Sequence, residues 1–429
     1  MSLHLRDVEV DGTRTDVCVV DGHVARVGRG RCGHPPGAHP TEVEGRGGAL
    51  IPGLHDHHLH VLALTAAWSS VDCGPGLEAL RGAPGSGWVR GVNAEASVDR
   101  HALDRLVPDR PVRVQHRSGG LWMLNSAALR LVAHVLDDTD DVERDEGGVP
   151  TGRLWRYDAR LRPALPAVSP ELGEVGRRLA RLGLTGVTDA TPDLDESAIS
   201  LLGTLPQRLL LLGDPAGVGP RKLLLRDHDL PDYNALAATV EASHSKGRPL
   251  AVHCVTRESL LLTLAVLDDV GALPGDRIEH AAICPAETAR WIAGLGVAVV
   301  TQPDFLRSRG SSYIRDLPAE DVGDLYPYAG LREHGVRVAA SSDAPFGEVD
   351  PWRVIATAAD RPIGSHENVP ARTALDGYLS EPLDPGGPPR RVAPGAPADM
   401  ILLDVPLATA LRAPDRGVVR STWIAGKAV

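Results

Sequence analysis

The chain has 429 residues, of which 43% are hydrophobic and 24% are charged, and its 46 Gly and 35 Pro are spread along its length. These proportions exclude a disordered, collagenous or coiled-coil protein and leave a globular chain of one large domain with an appendage, or of two domains. The net charge of −11 disfavours nucleic acid as a partner, because binding a phosphate backbone requires a basic face.

The chain begins with the pattern of short strands. Residues 2–28 alternate apolar and polar positions and contain Asp-Gly at 11–12 and 21–22, which is typical of strands joined by tight turns. The same pattern returns from about residue 396 to the last residue. We therefore predict that residues 1–50 and 390–429 form one small β domain.

Between the two ends, apolar strands alternate with helical segments over more than 300 residues. This pattern predicts an α/β fold with parallel strands, either a (β/α)8 barrel over residues 51–375 or a doubly wound sheet. Residues 376–389 are rich in Pro and Gly and are predicted to be a linker. The predicted strands are residues 49–60, 88–93, 185–190, 208–213 or 221–225, 250–254, 277–280, 297–301 and 336–342, and the predicted helices are residues 125–136, 174–182, 234–246 and 287–295.

The strongest local signal is the segment IPGLHDHHLH at residues 51–60. Because alternate side chains of a strand share a face, Asp56, His58 and His60 point one way, while His55 and His57 point the other. Two imidazoles on one face can bind the same metal ion. The alternative is a histidine-rich strand end exposed to solvent.

Three further residues with metal-ligand side chains end predicted strands, namely His253 in LAVHC, His280 in RIEH and Asp343 in VAASSDAPFG. In a (β/α)8 barrel the reactive residues follow the carboxyl ends of several strands, so this distribution favours the barrel over the doubly wound sheet. The doubly wound alternative also lacks a GxGxxG segment between a strand and a helix, so a dinucleotide site is not expected.

Lysine is rare in this chain and occurs only at positions 222, 246 and 427. A neutral, buried Lys222 could react with CO₂ to give a carbamate, an anionic ligand able to bridge two cations. The alternative is a surface lysine in a basic loop.

The five cysteines are odd in number and lack CxxC spacing, which argues against a disulfide scaffold and favours a reducing compartment. The first residues lack the apolar stretch of a signal peptide, and no apolar run of about 18 residues could span a bilayer. We therefore expect a cytoplasmic protein without a membrane partner, for which a homodimer is one compatible assembly.

Six segments carry a family resemblance and occur in collinear order: PGLHDHHLH, GLTGVTDA, RIEH, VVTQPDF, SSDAPFGEVDPW and PGAPADMILLD. They resemble the amidohydrolase superfamily and, within it, the amidohydrolase-3 group of YtcJ-like proteins and N-substituted formamide deformylases. The resemblance implies a metal-dependent hydrolase on a (β/α)8 TIM barrel, with a small β-sandwich formed by both termini. The ligand set that it implies is His58, His60, Lys222, His253, His280 and Asp343.

The resemblance also implies residues near the substrate. Gln302 and Asn125 match family segments near the pocket, although we expect Ser126 to be a helix N-cap. The chain departs from the family at Ser118–Gly120, where Asp-Gly-His is usual, and at Arg156, where an acidic residue is common. These departures concern the substrate more than the metal site. The predicted substrate-binding residues are Gln302, Trp122, Asn125, Arg117 and Arg156, and Arg226 and Arg307 are further candidates for a site that binds a carboxylate.

We therefore expect hydrolysis of a C–N bond in an amide, formamide or cyclic amide by a hydroxide on one or two divalent ions, with zinc the best fit to imidazole ligands. Asp343 would transfer the proton, and His280 or His253 would stabilise the oxyanion if it is not itself a ligand. Two alternatives stay open. One is lactone, ester or phosphotriester hydrolysis at the same site, and the other is an inactive barrel that acts as an interaction protein.

Overall fold

The structure, a computed structural model, describes residues 2–30, 41–74, 76–166 and 172–429. These residues form two compact units, of which one combines the residues up to Val61 with Leu172–Val429 and the other is Leu62–Glu171. The sequence pattern did not separate the second unit from the rest of residues 51–375.

The first unit opens with a four-stranded sheet in the order β3-β2-β1-β4, in which β1 pairs antiparallel with β2 and parallel with β4. Two further strands, β5 and β6, follow it in the chain. The strands are β1 (Ser2–Val10), β2 (Thr13–Val20), β3 (His23–Val27), β4 (Thr41–Glu44), β5 (Leu50–Pro52) and β6 (Leu54–Leu59).

The unit Leu62–Glu171 is built on a six-stranded mixed sheet in the order β11-β12-β10-β9-β8-β7. Its elements are α1 (Val61–Trp68), β7 (Val71–Asp72), β8 (Val89–Ala94), α2 (Arg100–Leu106), β9 (Val112–His116), β10 (Leu121–Leu124), α3 (Ser126–Val132), β11 (Val142–Arg144), β12 (Pro150–Trp155) and α4 (Asp158–Leu161). The strand predicted at residues 88–93 is β8, which pairs with β7 and β9 here rather than with the other strands predicted for the catalytic segment. An apolar pattern indicates a buried strand but does not specify its partners.

Asn125, predicted to bind substrate, has a structural role in this unit. It is the N-cap of α3, because its Oδ1 accepts hydrogen bonds from the N–H of Ala128 at 2.9 Å and of Val112 at 3.0 Å. Its amide nitrogen donates to the carbonyl oxygens of Val107 and Arg110. The prediction of Ser126 as the cap is therefore wrong, since Asn125 satisfies the orphan N–H groups first.

We expect Asn125→Ala to lower the free energy of unfolding by about 3 kcal/mol, because it removes a cap and leaves buried backbone groups unpaired. Chemical unfolding of the full chain measures this effect. Ser126→Ala is the matched control, since it removes only the side-chain bond to Asp104 and should cost about 1 kcal/mol. Equal costs for the two variants would contradict the role of Asn125.

The remaining strands of the first unit are parallel and form two sheets, β14-β13-β6 and β15-β16-β17-β18-β19. Backbone hydrogen bonds also connect the ends of the two sheets, from Lys222 N–H to the Leu212 carbonyl and from Asp343 N–H to the His58 carbonyl, both at 2.8 Å. The strands are β13 (Leu184–Asp189), β14 (Arg208–Leu211), β15 (Arg221–Leu224), β16 (Leu250–Cys254), β17 (Arg277–His280), β18 (Ala298–Thr301) and β19 (Val338–Ala340).

Helices connect most of these parallel strands, although β14 and β15 are joined without one. Residues 208–213 and 221–225 were predicted as alternative strands, but both segments form strands, β14 and β15. The last helix before the C-terminal strands, α14, continues to Leu379, inside the predicted linker. The helices are α5 (Leu172–Arg181), α6 (Glu196–Leu202), α7 (Tyr233–His244), α8 (Arg257–Val270), α9 (Ala286–Leu295), α10 (Phe305–Asp316), α11 (Ala319–Val322), α12 (Ala329–Glu333), α13 (Pro351–Ala359) and α14 (Ala371–Leu379).

The chain ends with β20 (Met400–Leu403), α15 (Leu407–Ala410), β21 (Val419–Ile424) and β22 (Lys427–Ala428). The three strands and β5 form a four-stranded antiparallel sheet. One hydrophobic cluster joins this sheet to β1–β3, with Leu5, Val17 and Leu402 fully buried. Each such side chain contributes about 1.5–3 kcal/mol of transfer free energy, so burial of the two ends holds them together.

Among the described cysteines, Cys73, Cys254 and Cys284 are buried free thiols, whereas Cys18 is disulfide-bonded. The prediction was that no disulfide scaffold is present, and an odd count of cysteines excludes complete pairing but not a single bridge. No helix in the described ranges is both long and apolar enough to cross a bilayer.

Candidate metal centre

His58 and His60 lie at the carboxyl end of β6, and their environment agrees with the predicted alternation of faces. His57 points away from them and its Nε2 lies 3.0 Å from both the carbonyl oxygen of Gly377 and the hydroxyl of Ser380. Asp56 shares the face of His58 and accepts a hydrogen bond from its backbone N–H at 3.1 Å. Burial raises the pKa of the Asp56 carboxyl to about 7.

Asp343 completes a compact group with the two histidines. Its Oδ1 lies 3.5 Å from Nε2 of His58 and 3.3 Å from Nε2 of His60. Each of the three residues offers one ligand atom, and these three atoms lie within 4.8 Å of one another. Residues 285 and 283 positions apart in the sequence therefore converge on one point.

The backbone turn after β19 holds Asp343 in place. Asp343 has a φ of 51°, in the left-handed region that costs a non-glycine residue energy. Its N–H bonds to the His58 carbonyl, and the Ala344 carbonyl accepts from the N–H of His60. A Cβ at Gly347 would lie 2.2 Å from the carbonyl oxygen of Ser342, so the turn requires glycine at that position.

His280 and His253 extend the group along the neighbouring strands. Nε2 of His280 lies 2.9 Å from Nδ1 of His253, and the His280 ring centroid is 4.9 Å from that of His58. Nδ1 of His280 lies 2.7 Å from Oε1 of Gln302. The Gln302 amide nitrogen donates to Ser341 Oγ at 2.9 Å, which aims its oxygen at His280. The structure thus brings Gln302 to a histidine of the site.

The charges of the group suit a cation. Burial lowers the pKa of His58, of His280 and of His253, the last to about 2, so all three imidazoles are neutral. Burial alone would raise the pKa of Asp343, but the nearby His58 and His60 side chains outweigh it and hold that pKa below its ordinary range. Neutral imidazoles beside an ionised carboxylate are the form in which these side chains bind a metal.

Two atoms of the group provide a direct test of whether a metal ion fits. His58 Nε2 and Asp343 Oδ1 are buried and have no hydrogen-bond partner among the described residues. Buried polar atoms are ordinarily paired, so two that face each other without partners indicate a missing ligand. The residues present therefore fit a divalent ion.

Lys222 lies on β15 and is only 5% exposed. Its Nζ has no hydrogen-bond partner within the described part of the chain. Burial lowers the pKa of the amine, although the carboxylates of Glu279 and Asp343 oppose that shift. The alternative of a surface lysine is therefore wrong, because the side chain is inside the first unit.

Glu279 belongs to the site but was not predicted from the sequence. One of its carboxylate oxygens, Oε2, makes a short hydrogen bond with Nδ1 of His58. Strict alternation along β17 would point Glu279 and His280 to opposite faces. The φ of 74° at His280 breaks that alternation, so both side chains reach the same group. The available signal was the pair Arg277 and Glu279, two charged residues on one face of an apolar strand.

Three other predicted substrate residues, Trp122, Arg117 and Arg156, lie in the unit Leu62–Glu171. Trp122 is buried, and its Nε1 donates to Asp158 at 2.8 Å. Arg117 pairs with Glu95 at 3.3 Å, and Arg156 pairs with Asp141 at 2.7 Å. In the first unit, Arg307 donates to Thr357 Oγ1 at 3.1 Å, and Arg226 is exposed. A part for these residues in substrate binding stays a prediction.

The chain is similar to known proteins over most of its length. The model of a family described as "Amidohydrolase family" matches residues 41–429. The chain is 28% identical to the N-substituted formamide deformylase of Arthrobacter pascens, over 90% of this chain and 89% of that protein. It is 25% identical to the putative amidohydrolase YtcJ of Bacillus subtilis, over 84% of this chain and 83% of that protein.

A solved structure shows the fold. An uncharacterized metal-dependent hydrolase from Pyrococcus horikoshii superposes with a TM-score of 0.74 at 18% identity, and the match covers 100% of both chains. This chain therefore has the α/β fold of that protein.

Proposed function

The chain belongs to the amidohydrolase family, as its motifs predict, and on that premise we propose that it hydrolyses a C–N bond in a small amide, formamide or cyclic amide. The observation that carries the proposal is the convergence of His58, His60 and Asp343, whose ligand atoms lie within 4.8 Å of one another. The name of the formamide deformylase relative supports an amide-type substrate.

We assign the metal to His58, His60 and Asp343, with His253 and His280 as the adjoining ligands. A divalent ion, when bound, would lower the pKa of water and polarise a carbonyl group. Zinc suits a group rich in imidazole, and the ligand types allow one ion or two. For a second ion we propose that Lys222 carries a carbamate. The depressed pKa of its amine supports this, because only the neutral amine reacts with CO₂.

The residues of the site then have separate tasks. Asp343 accepts a proton from the attacking water and returns it to the leaving nitrogen, for which an ionised carboxylate beside the cation is suited. With a single ion held by His58, His60 and Asp343 alone, His253, paired with His280, would stabilise the charge that develops on the carbonyl oxygen. Gln302 holds the His280 ring through Nδ1.

We extend the proposal to the architecture of the first unit. The backbone hydrogen bonds of Lys222 and Asp343 support a closed (β/α)8 barrel, because they link the ends of the two parallel sheets. The cluster shared by the first and last strands supports a β-sandwich made from both termini, as predicted for residues 1–50 and 390–429. Of the predicted substrate residues, Gln302 lies at the candidate metal centre, where its amide oxygen already meets His280 Nδ1, so we propose that it acts on the substrate through that histidine. Asn125 is left out because its amide is engaged by the backbone.

A panel of N-formyl and N-acyl amines tests the reaction, with esters of the same acyl groups as the matched comparison. Each is incubated with the protein as purified, after chelation, and after Zn²⁺ is returned. We expect amine release that chelation abolishes and Zn²⁺ restores, with a higher kcat/KM for the amides than for the esters. Faster ester cleavage would favour the lactone and ester alternative. No hydrolysis together with less than one equivalent of metal would favour an inactive barrel.

A further inference from the structure

A row of three buried side chains extends from the core of the first unit to the candidate metal centre. Arg277 and Glu279 lie two residues apart on β17, and His58 lies on β6. All three are nearly or completely inaccessible to solvent. Of the three, only His58 has a role predicted from the sequence, so the two charged residues Arg277 and Glu279 need an explanation.

Arg277 keeps Glu279 in its charged form. The Nε of Arg277 donates to Oε1 of Glu279 at 2.5 Å, and its Nη2 donates to the carbonyl oxygen of His57 at 3.0 Å. A guanidinium is always protonated, and a buried charge is stable only beside an opposite one. Glu279 is therefore a carboxylate, which can only accept hydrogen bonds.

The second oxygen of that carboxylate, Oε2, faces Nδ1 of His58. Because the carboxylate has no proton to give, Nδ1 must carry the hydrogen of the bond. A neutral imidazole has one N–H, so Nε2 keeps its lone pair. That nitrogen is the atom that lies 3.5 Å from Asp343 and lacks a partner.

We propose that Glu279 is a positioning residue that fixes the hydrogen of His58 on Nδ1 and thereby presents the Nε2 lone pair to the metal ion, with Arg277 holding Glu279. The inference rests on the proposed metal site and extends it to a carboxylate that touches neither metal nor substrate. Partners of this kind orient a ligand ring, and their loss typically weakens metal binding about 10–100-fold.

Glu279→Gln is the most informative variant, because Arg277 fixes the orientation of the glutamine side-chain amide. The guanidinium donates and so must face the amide oxygen, which leaves the amide NH₂ facing His58. Two donors cannot share a hydrogen bond, so Nδ1 becomes the acceptor and the hydrogen moves to Nε2, the ligand atom. We expect the Kd for Zn²⁺, measured by competition with a chelating dye, to rise about 10–100-fold.

Glu367→Gln is the matched control. Glu367 is also a buried carboxylate of the first unit, but its Oε2 accepts from the backbone N–H groups of Tyr328 and Gly330, both at 2.8 Å. Its variant should lower Tm without changing the Kd for Zn²⁺. An equal rise in Kd for both variants, or a wild-type Kd in Glu279→Gln, would overturn the inference.

A measurement on the wild-type protein does not depend on whether the variant folds. Nitrogen-15 NMR of the metal-free protein, with His58 assigned by loss of its signal in His58→Gln, should show the Nδ1–H tautomer. The Nε2–H tautomer would overturn the inference while leaving the metal site possible. A wild-type protein that binds no Zn²⁺ would overturn both the inference and the proposed function.

Discussion

Asp343→Asn is expected to lower kcat/KM for the best amide substrate by about 10³-fold, within the range that a positioned acid–base group contributes. The asparagine amide has nearly the same shape but cannot accept the proton. It also removes the negative charge that faces the His58 and His60 imidazoles at 3.5 and 3.3 Å. Steady-state hydrolysis measures the rate, and elemental analysis measures how much metal the variant retains.

The matched control for this variant is Asp350→Asn, seven residues later at the N-cap of α13. Asp350 is also buried and caps that helix by accepting from the N–H of Trp352 at 3.0 Å. Asparagine is an equally good N-cap, so the control should keep its activity and stability. A loss below tenfold in Asp343→Asn, at full metal content, would contradict the assigned proton transfer.

The second large effect is expected for Lys222→Met, which should lower kcat/KM by at least about 10²-fold and reduce the bound metal. The reason is that CO₂ adds to the neutral amine with formation of an N–C bond and release of one proton, and methionine cannot form that ligand. Loss of a ligand should cost no less than the roughly 10–100-fold that loss of an outer partner costs. Incubation with ¹³C-bicarbonate should give a protein-bound carbamate signal in the wild type that is absent from the variant.

Lys246→Met serves as the control, because Lys246 is one of the other two lysines of the chain and is exposed in the turn that follows α7. It should keep both the carbamate signal and the activity. A variant of Lys222 that is as active as the wild type would remove the lysine from the site. Higher stability with unchanged metal content would instead identify it as an ordinary buried ammonium, whose replacement by an apolar group is often favourable.

The sequence predicted which residues belong to the candidate site better than it predicted the contacts between them. The strands at 250–254 and 277–280 have the predicted bounds, because a short apolar run that ends in a polar residue is a strong local pattern. His58, His60 and Asp343 were identified as candidates because ligand-type residues at several strand ends are improbable by packing alone. The faces of β6 also followed from the two-residue period of a strand.

Other features were not available from local patterns. The unit Leu62–Glu171 was not predicted as separate, because its strands have the same apolar pattern as the parallel strands of the first unit. Asn125 matched a family segment near the pocket, yet four hydrogen bonds make it part of the backbone framework. Glu279 was missed because the left-handed backbone at His280 cancels the alternation on which the prediction relied.

By itself the sequence determined the family, through the resemblance of its motifs to known members. It also determined the parallel α/β pattern and the residue types able to bind a metal, because these depend on period and spacing along the chain. Only the tertiary structure decided which of those residues meet. Hydrogen bonds between β6 and the turn after β19 fix the distance between His58 and Asp343. The hydrogen bond with the carboxylate of Glu279 fixes the orientation of the His58 ring. Contacts between residues more than 200 positions apart depend on how strands pair, and local sequence patterns do not specify which strands pair.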